Sequence, residues 1–166
     1  MEKLWSPWRS QYIDSIKEKD SSKGCFLCEA AKQTASDLNN LLVDKGKLTF
    51  TILNLYPYNN GHLMVVPNRH ISNFAELTAD ENNEIMLNLQ KAQKALNNIL
   101  KPEGYNVGAN LGKVSGAGID DHIHFHIVPR WNGDTNFMPV LGEVKIISQD
   151  LITTKNKLLE AYSKLE

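Results

Sequence analysis

The chain has 166 residues, of which 42% are hydrophobic and 22% are charged. This composition fits one domain with a packed core and excludes a disordered tail or a disulfide miniprotein. Its 18 basic and 19 acidic residues leave a net charge of −1, which disfavours a dedicated binder of a nucleic acid polymer. No apolar run approaches the roughly 18 residues of a membrane span. Because the first residues also lack an apolar signal stretch, we expect no membrane partner and a cytoplasmic location.

The first forty residues predict a helix and a cysteine motif. Ser6-Pro7 is a hydroxyl cap followed by proline, and Trp8, Tyr12 and Ile16 then recur at every fourth position, which predicts a helix over residues 5–18. The only cysteines of the chain follow within a predicted knuckle over residues 24–29.

Cys25 and Cys28 are two residues apart, a spacing that suits one tetrahedral metal ion. A disulfide across so short a step would constrain little of the chain. Three interpretations stay open at this point: a metal site, a redox pair, and two reduced thiols that pack as small apolar groups.

From residue 41 onward the sequence has a β pattern. Residues 47–54 are rich in β-branched and aromatic side chains, residues 56–61 contain turn formers, and residues 62–66 form an apolar run that Pro67 ends. The two runs predict an antiparallel pair of strands.

Thr78 and Glu81 form a capping box, which predicts the start of a long helix. An apolar stripe follows at steps of three and four, and Pro102 and Gly104 end the helix; the stripe consists of Ile85, Leu89, Ala92, Leu96 and Ile99. Further strands are predicted over residues 105–111, 121–130 and 144–147, and a closing helix over residues 150–164. The order predicts an α+β domain with a mostly antiparallel sheet of about five strands, a long central helix, and N- and C-terminal helices.

Three of the five histidines alternate along the predicted strand over residues 121–130: His122, His124 and His126. Because a strand has period two, their imidazoles should share one face at steps of roughly 6.6 Å. Neutral imidazole is a nucleophile near neutral pH, a second imidazole can donate a proton, and backbone N–H groups of the glycine-rich loop 112–118 can approach phosphate. The pattern indicates group transfer at phosphorus. A metal site and a purely structural cluster are the alternatives.

The sequence resembles a known family at these residues. Residues 122–128 are similar to the His-φ-His-φ-His-φ-φ signature of the histidine triad (HIT) superfamily of nucleotide hydrolases and transferases, and residues 59–67, with Asn54 before them, resemble its second motif. The flanking residues 4–9 and 129–140 resemble the prokaryotic branch of diadenosine tetraphosphate phosphorylases. The resemblance implies a single HIT domain over residues 1–166, with a core at 41–130 and a C-terminal extension at 131–166.

The resemblance also implies roles for particular residues. His124 would be the nucleophile that forms a nucleotidyl-imidazole, His126 would contact the α-phosphate, and His122 would orient its neighbours. The remaining positions that the resemblance places at the nucleotide are Asn54 and His62 in the nucleoside pocket, Asn110 at the phosphate or leaving group, and Ser115 and Gly116 in the phosphate-binding loop. That loop is one residue shorter than in the animal hydrolases of the family.

By comparison with zinc-bearing relatives, His70 and His122 would complete a structural Cys₂His₂ zinc site with Cys25 and Cys28. The zinc would not be needed for the chemistry. The resemblance further implies a homodimer.

These observations favour an enzyme that cleaves a dinucleoside polyphosphate, with diadenosine tetraphosphate preferred, through a nucleotidyl group on His124. Phosphate or water would then accept that group. The alternatives are a nucleoside phosphoramidase with the same nucleophile and a non-catalytic, zinc-stabilised nucleotide-binding module. Arg130, Trp131 and Asn136 either hold the distal phosphates or the second base, or belong to a plain connector.

Overall fold

The computed structural model describes residues 24–135 and 147–165. The helix predicted over residues 5–18 lies outside these ranges, and so does most of the strand predicted over residues 144–147. In the described part, three α-helices and five strands follow one another along the chain. They are α1 (Phe26–Ala31), β1 (Leu42–Lys45), β2 (Thr49–Leu53), β3 (Leu63–Pro67), α2 (Ala79–Leu100), β4 (Gly104–Ala109), β5 (Phe125–Arg130) and α3 (Leu151–Ser163).

The five strands form one antiparallel sheet in the order β1-β2-β3-β5-β4. The predicted α+β class is therefore confirmed. The predicted hairpin is β2 and β3, and the closing helix is α3, which Asp150 caps by accepting from the Thr153 amide at 2.8 Å. Strand β1 is missing from the sequence-based prediction. No helix within the described ranges is long and apolar enough to cross a membrane.

Helix α2 begins at the predicted capping box, in which Thr78 and Glu81 each bond the other's backbone amide. The first four residues of its predicted stripe are buried and the fifth, Ile99, packs at the edge of the same core cluster. That cluster lies between α2, α3 and one face of the sheet, and Leu63, Val65 and Ile127 contribute to it from the strands.

The other face of the sheet carries α1 and His126. Met64 and Val66 alternate with Leu63 and Val65 along β3 and belong to a second core cluster, which also contains Leu27 of α1. Met64 pairs with His126 across β3 and β5, so His126 shares the face that α1 covers.

The predicted histidine strand is shorter than expected. β5 begins at Phe125 and not at residue 121, so only His126 lies within it. Before Phe125 the partner strand reaches Pro67, which has no N–H to continue the ladder. The chain is instead held by the Ile123 amide on the Ile71 carbonyl at 2.7 Å and by the His122 ring on the Pro67 carbonyl at 2.9 Å. Strict alternation of the three imidazoles on one strand is therefore wrong.

Candidate active site

The His124 ring is held in one tautomer by a backbone carbonyl. Its Nδ1 lies 2.9 Å from the His122 oxygen, and because a carbonyl only accepts, Nδ1 carries the hydrogen. Nε2 of the neutral ring therefore holds the lone pair. The ring is 6% exposed, and this burial lowers the pKa of His124, which favours the neutral form. His124 thus has the protonation pattern of a nitrogen nucleophile.

A chain of hydrogen bonds also orients His62 and His126. The Tyr58 amide donates to His62 Nδ1 at 3.0 Å, so Nε2 of a neutral His62 carries the hydrogen and donates to His126 Nδ1 at 2.9 Å. The hydrogen of a neutral His126 is therefore on Nε2. That Nε2 is buried and has no hydrogen-bond partner among the residues that the structure describes. Burial, with His124 beside it, lowers the pKa of His126 to about 4, and the two rings meet edge to face at 4.8 Å.

His122 faces the cysteines instead of the other two triad rings. Its Nε2 donates to the Pro67 carbonyl, which leaves the Nδ1 lone pair directed at the thiols. Nδ1 lies 3.3 Å from Cys25 Sγ and 3.6 Å from Cys28 Sγ. Burial lowers the pKa of His122 and keeps the ring neutral.

The donor set of this cluster fits a metal ion. One donor atom each from Cys25, Cys28, His70 and His122 lie within 4.8 Å of one another, and Cys28 Sγ is 3.3 Å from His70 Nδ1. In a tetrahedron with Zn–S of about 2.3 Å and Zn–N of about 2.0–2.1 Å, the S···N edge is about 3.5 Å. Metal-ligating histidines also usually donate their other N–H to a carbonyl or carboxylate, as His122 does. The four predicted ligands are thus brought together, and they could bind a metal.

The predicted phosphate-binding residues lie at the ends of the strands next to the triad. Ala109 of β4 pairs with Phe125 of β5. Asn110 follows Ala109 and His124 precedes Phe125, so these two residues occupy the next position on adjacent antiparallel segments. Gly112 and Gly116 flank a 3₁₀ turn with φ of 77° and 89°, values that side chains disfavour. Within this turn the Ser115 hydroxyl donates to the Gly112 carbonyl at 2.6 Å.

The two residues expected in the nucleoside pocket contact each other. Asn54 accepts from the Tyr56 amide at 2.9 Å through Oδ1, and its Nδ2 lies 3.4 Å from His62 Nδ1. The His62 ring is fully buried between these groups and His126. In this structure His62 therefore acts on His126 and does not present a free edge to a ligand.

The structure gives Arg130 a partner, Asp134, that the spacing of motifs does not reveal. The guanidinium of Arg130 forms bonds of 2.6 and 2.8 Å with the two Asp134 carboxylate oxygens and one of 2.7 Å with Asn106. Its charge is thus already matched, which favours an anchoring role over a hold on distal phosphates. Asn136, the third residue of that hypothesis, lies outside the described residues. Tyr58, whose ring centroid is 4.8 Å from that of His62, also borders the site.

Comparison with known proteins agrees with this fold and site. The HIT domain family model matches residues 36–133. The chain therefore belongs to the HIT domain family.

Among individual relatives, an AP-4-A phosphorylase of Mycobacterium tuberculosis is 39% identical over 99% of this chain and 86% of its own length. An adenosine 5'-monophosphoramidase of Schizosaccharomyces pombe is 31% identical over 65% of this chain and 75% of its own. With such relatives, the chain is a HIT-type enzyme.

Solved structures show the same fold. A Zn-bound histidine triad family protein of Mycobacterium smegmatis aligns with a TM-score of 0.68 at 23% identity, over 86% of this chain and 95% of that one. A HIT family member of Bacillus subtilis aligns with a TM-score of 0.58 at 26% identity, over 67% of this chain and 76% of that one.

Proposed function

We propose that this enzyme cleaves a dinucleoside polyphosphate by transferring a nucleotidyl group first to His124 and then to inorganic phosphate or water. The observation that carries the proposal is the tautomer of His124. With Nδ1–H held by the His122 carbonyl, the lone pair is on Nε2 of a buried, neutral ring. An imidazole in this state attacks phosphorus without first losing a proton.

The proposed reaction has two displacements. The Nε2 lone pair attacks the α-phosphorus, the bond to the bridging oxygen breaks, and that oxygen leaves with the bonding pair as the polyphosphate product. An oxygen of phosphate or water then attacks the same phosphorus, the P–N bond breaks, and its bonding pair returns to Nε2. When water attacks, the proton that it loses passes to the solvent. From diadenosine tetraphosphate the first step releases ATP, and the second gives ADP with phosphate or AMP with water.

His126 and the glycine turn supply the groups that bind the phosphate. Nε2 of His126 is a buried donor that finds no partner within residues 24–135 and 147–165, and an α-phosphate oxygen would satisfy it. Gly112 and Gly116, with positive φ, allow the backbone of the turn to approach an anion closely, and Asn110 begins this segment beside His124. On this basis we propose three phosphate contacts: Asn110, Ser115 and Gly116. Asn54 and His62 act indirectly, because Asn54 contacts His62 and His62 orients His126.

The preference for diadenosine tetraphosphate is supported by the name of the Mycobacterium tuberculosis relative, which matches almost the whole chain. The phosphoramidase of Schizosaccharomyces pombe matches a shorter part. A phosphoramidate substrate would use the same nucleophile with an amine as the leaving group.

The test is to follow diadenosine tetraphosphate labelled at the α-phosphorus. Rapid denaturation in alkali, where P–N bonds survive, should leave label on the wild-type protein and none on His124→Ala, whose turnover should fall by roughly 10⁴-fold or more. The matched control is Glu160→Gln, because Glu160 is an exposed residue near the end of α3. ADP formation that requires added phosphate identifies phosphorolysis. Turnover without any protein-bound label, or turnover of phosphoramidates alone, would refute the proposal.

We further propose that the Cys25, Cys28, His70 and His122 cluster holds zinc in a closed structural site. Thiolate and imidazole ligands in this number and spacing are those that zinc prefers. Bound zinc would fix the ring of His122. The backbone carbonyl of the same residue orients His124. Elemental analysis after dialysis should find one zinc per chain in the wild type and in Glu29→Gln, a variant on the same helix. The zinc content of Cys28→Ser should be lower, because its zinc affinity should fall about tenfold or more. Equal zinc content in both variants after dialysis would contradict the site.

The homodimer, the single domain over residues 1–166 and the cytoplasmic location stay predictions. Light scattering of the purified chain at several concentrations tests the first.

A further inference from the structure

The carboxylate of Asp134 is the centre of a hydrogen-bond network at the end of β5. Besides its two bonds to Arg130, it accepts from the Trp131 amide at 3.1 Å and from Asn59 Nδ2 at 2.8 Å. The Asp134 side chain is 8% exposed. This arrangement holds the pKa of Asp134 well below its ordinary range, chiefly through the hydrogen bonds from Arg130.

Asn59 connects this network to the turn over residues 56–61. Its Nδ2 group donates both to Asp134 and to the Pro129 carbonyl at 3.1 Å, so both amide hydrogens are used. Its Oδ1 accepts from the Asn60 amide at 3.1 Å, and its backbone carbonyl accepts from the His62 amide at 3.2 Å. Asn59 therefore holds the turn against β5 through its side chain and holds the start of β3 through its backbone.

The same turn carries the backbone amide of Tyr58, which contacts His62. The Tyr58 amide, one residue before Asn59, donates to His62 Nδ1 at 3.0 Å and is the nearer of the two donors there, since Asn54 Nδ2 lies at 3.4 Å. A donor at Nδ1 places the hydrogen of neutral His62 on Nε2, which donates to His126 Nδ1. We propose that Asp134 is a positioning residue for nucleotidyl transfer: through Asn59 it holds the Tyr58 amide on His62, so that His126 presents Nε2–H to the phosphate. The inference rests on the proposed function for the reaction that it serves, whereas the link to the tautomers can be tested separately.

The main variant is Asp134→Asn, which keeps the shape of the side chain and removes the charge that binds Arg130 and Asn59. We expect kcat to fall by roughly ten- to a hundredfold because misplaced catalytic groups of this kind cost about that much. KM should change by less than about threefold, since the loss is expected in the transition state. Asn59→Ala should give a similar loss, and the double variant should lose little more than either single variant.

The decisive measurement is NMR of the histidine ring nitrogens in ¹⁵N-labelled protein. In the wild type, His62 and His126 should each show a single tautomer with the hydrogen on Nε2. Both should become mixtures in Asp134→Asn and in Asn59→Ala. The control Glu160→Gln breaks an exposed ion pair with Lys164 that does not touch the turn, and it should change neither the tautomers nor kcat.

Each result decides the matter. Mixed tautomers together with reduced kcat support the positioning role. A lower melting temperature with unchanged tautomers and unchanged kcat per folded molecule would show that Asp134 only stabilises the fold and would overturn the proposal, as would reduced kcat with unchanged tautomers. If the wild type turns over no nucleotide, the proposed function fails, and the NMR spectra still decide whether Asp134 sets the tautomers.

Discussion

The ion pair between Arg69 and Glu81 gives a stability prediction that depends on pH. Arg69 bonds both Glu81 oxygens, through Nε at 3.0 Å and a terminal nitrogen at 2.8 Å, and the Thr78 amide adds a bond of 2.8 Å. These groups, Arg69 first, lower the pKa of Glu81 from its ordinary 4.5 to about 2. The pair joins the start of α2 to the residue just before His70, so it also fixes the segment that carries one of the four proposed zinc ligands.

The pKa difference sets an upper limit on the energy. At about 1.36 kcal/mol per pH unit, the difference between 4.5 and about 2 corresponds to about 3.4 kcal/mol. The Glu81 side chain is 6% exposed but that of Arg69 is 46% exposed, so water screens one partner. We therefore expect Glu81→Gln to lower the free energy of unfolding by about 2 kcal/mol at pH 7.

The sign of the pH dependence follows from the lowered pKa. A carboxylate whose folded pKa lies below its unfolded pKa stabilises the fold above the unfolded value and loses this effect as the pH falls towards the folded value. The difference in the free energy of unfolding between wild type and Glu81→Gln should therefore have its full value at pH 7. At pH 3.5 it should shrink to about 60% of that value.

Urea unfolding at both pH values, with zinc held constant, measures this difference. Glu160→Gln serves as the matched control, because Glu160 and its partner Lys164 are 70% and 67% exposed and water screens their pair almost completely. The reasoning would be refuted if both variants lost the same free energy of unfolding. It would also be refuted if the loss in Glu81→Gln were the same at pH 7 and pH 3.5.

Two further stability predictions come from the turn before His62 and from the closing helix. Gly61 has φ of +76°, and an added Cβ would lie 2.5 Å from Leu100 Cδ1, so Gly61→Ala should cost about 2–4 kcal/mol in urea unfolding. Gly133→Ala, at φ of +75° with nothing within 4 Å of the new carbon, should cost only about 1–2 kcal/mol, and equal costs would contradict the packing argument. Lys155 is fully buried and its ammonium donates to the Asp37 and Asn40 carbonyls and to Asn40 Oδ1, so Lys155→Met should cost about 2–4 kcal/mol without changing turnover per folded molecule. A Lys155→Met protein as stable as the wild type would show that these oxygens find other partners.

Local periodicity predicted most of the fold, because its longest elements have strong local signals. The capping box at Thr78 and the apolar stripe behind it placed the start of α2 correctly. The sequence does not predict strand β1, because its four residues, Leu42–Lys45, have no clear alternation, and its pairing with β2 contains an irregularity between Leu42 and Asp44. Its extended state depends on its neighbour and not on its own sequence.

The candidate site could be predicted as a set of residues but not as a set of contacts. The spacing of the triad and of the cysteines identified the groups, yet strand periodicity suggested that His122, His124 and His126 share one row. In the structure the His122 ring contacts the thiols and the His126 ring contacts His62. The second contact follows from the register of β3 on β5, where Met64 pairs with His126, and a sequence contains no direct signal of register.

The groups that orient His62, His122 and His124 share one physical property: each is a backbone peptide group. His124 is held by the His122 carbonyl, His122 by the Pro67 carbonyl, and His62 by the Tyr58 amide. A peptide group carries no net charge and does not titrate, so none of these three bonds is made directly by an acid, in contrast to the aspartate of a serine hydrolase triad. Asp134 enters only one step further out, through Asn59 and the turn that carries the Tyr58 amide. Which nitrogen of each ring carries the hydrogen therefore depends on where the backbone lies. For this reason Pro67, which ends β3, and the turn over residues 56–61, which precedes β3, matter to the chemistry as much as the imidazoles do.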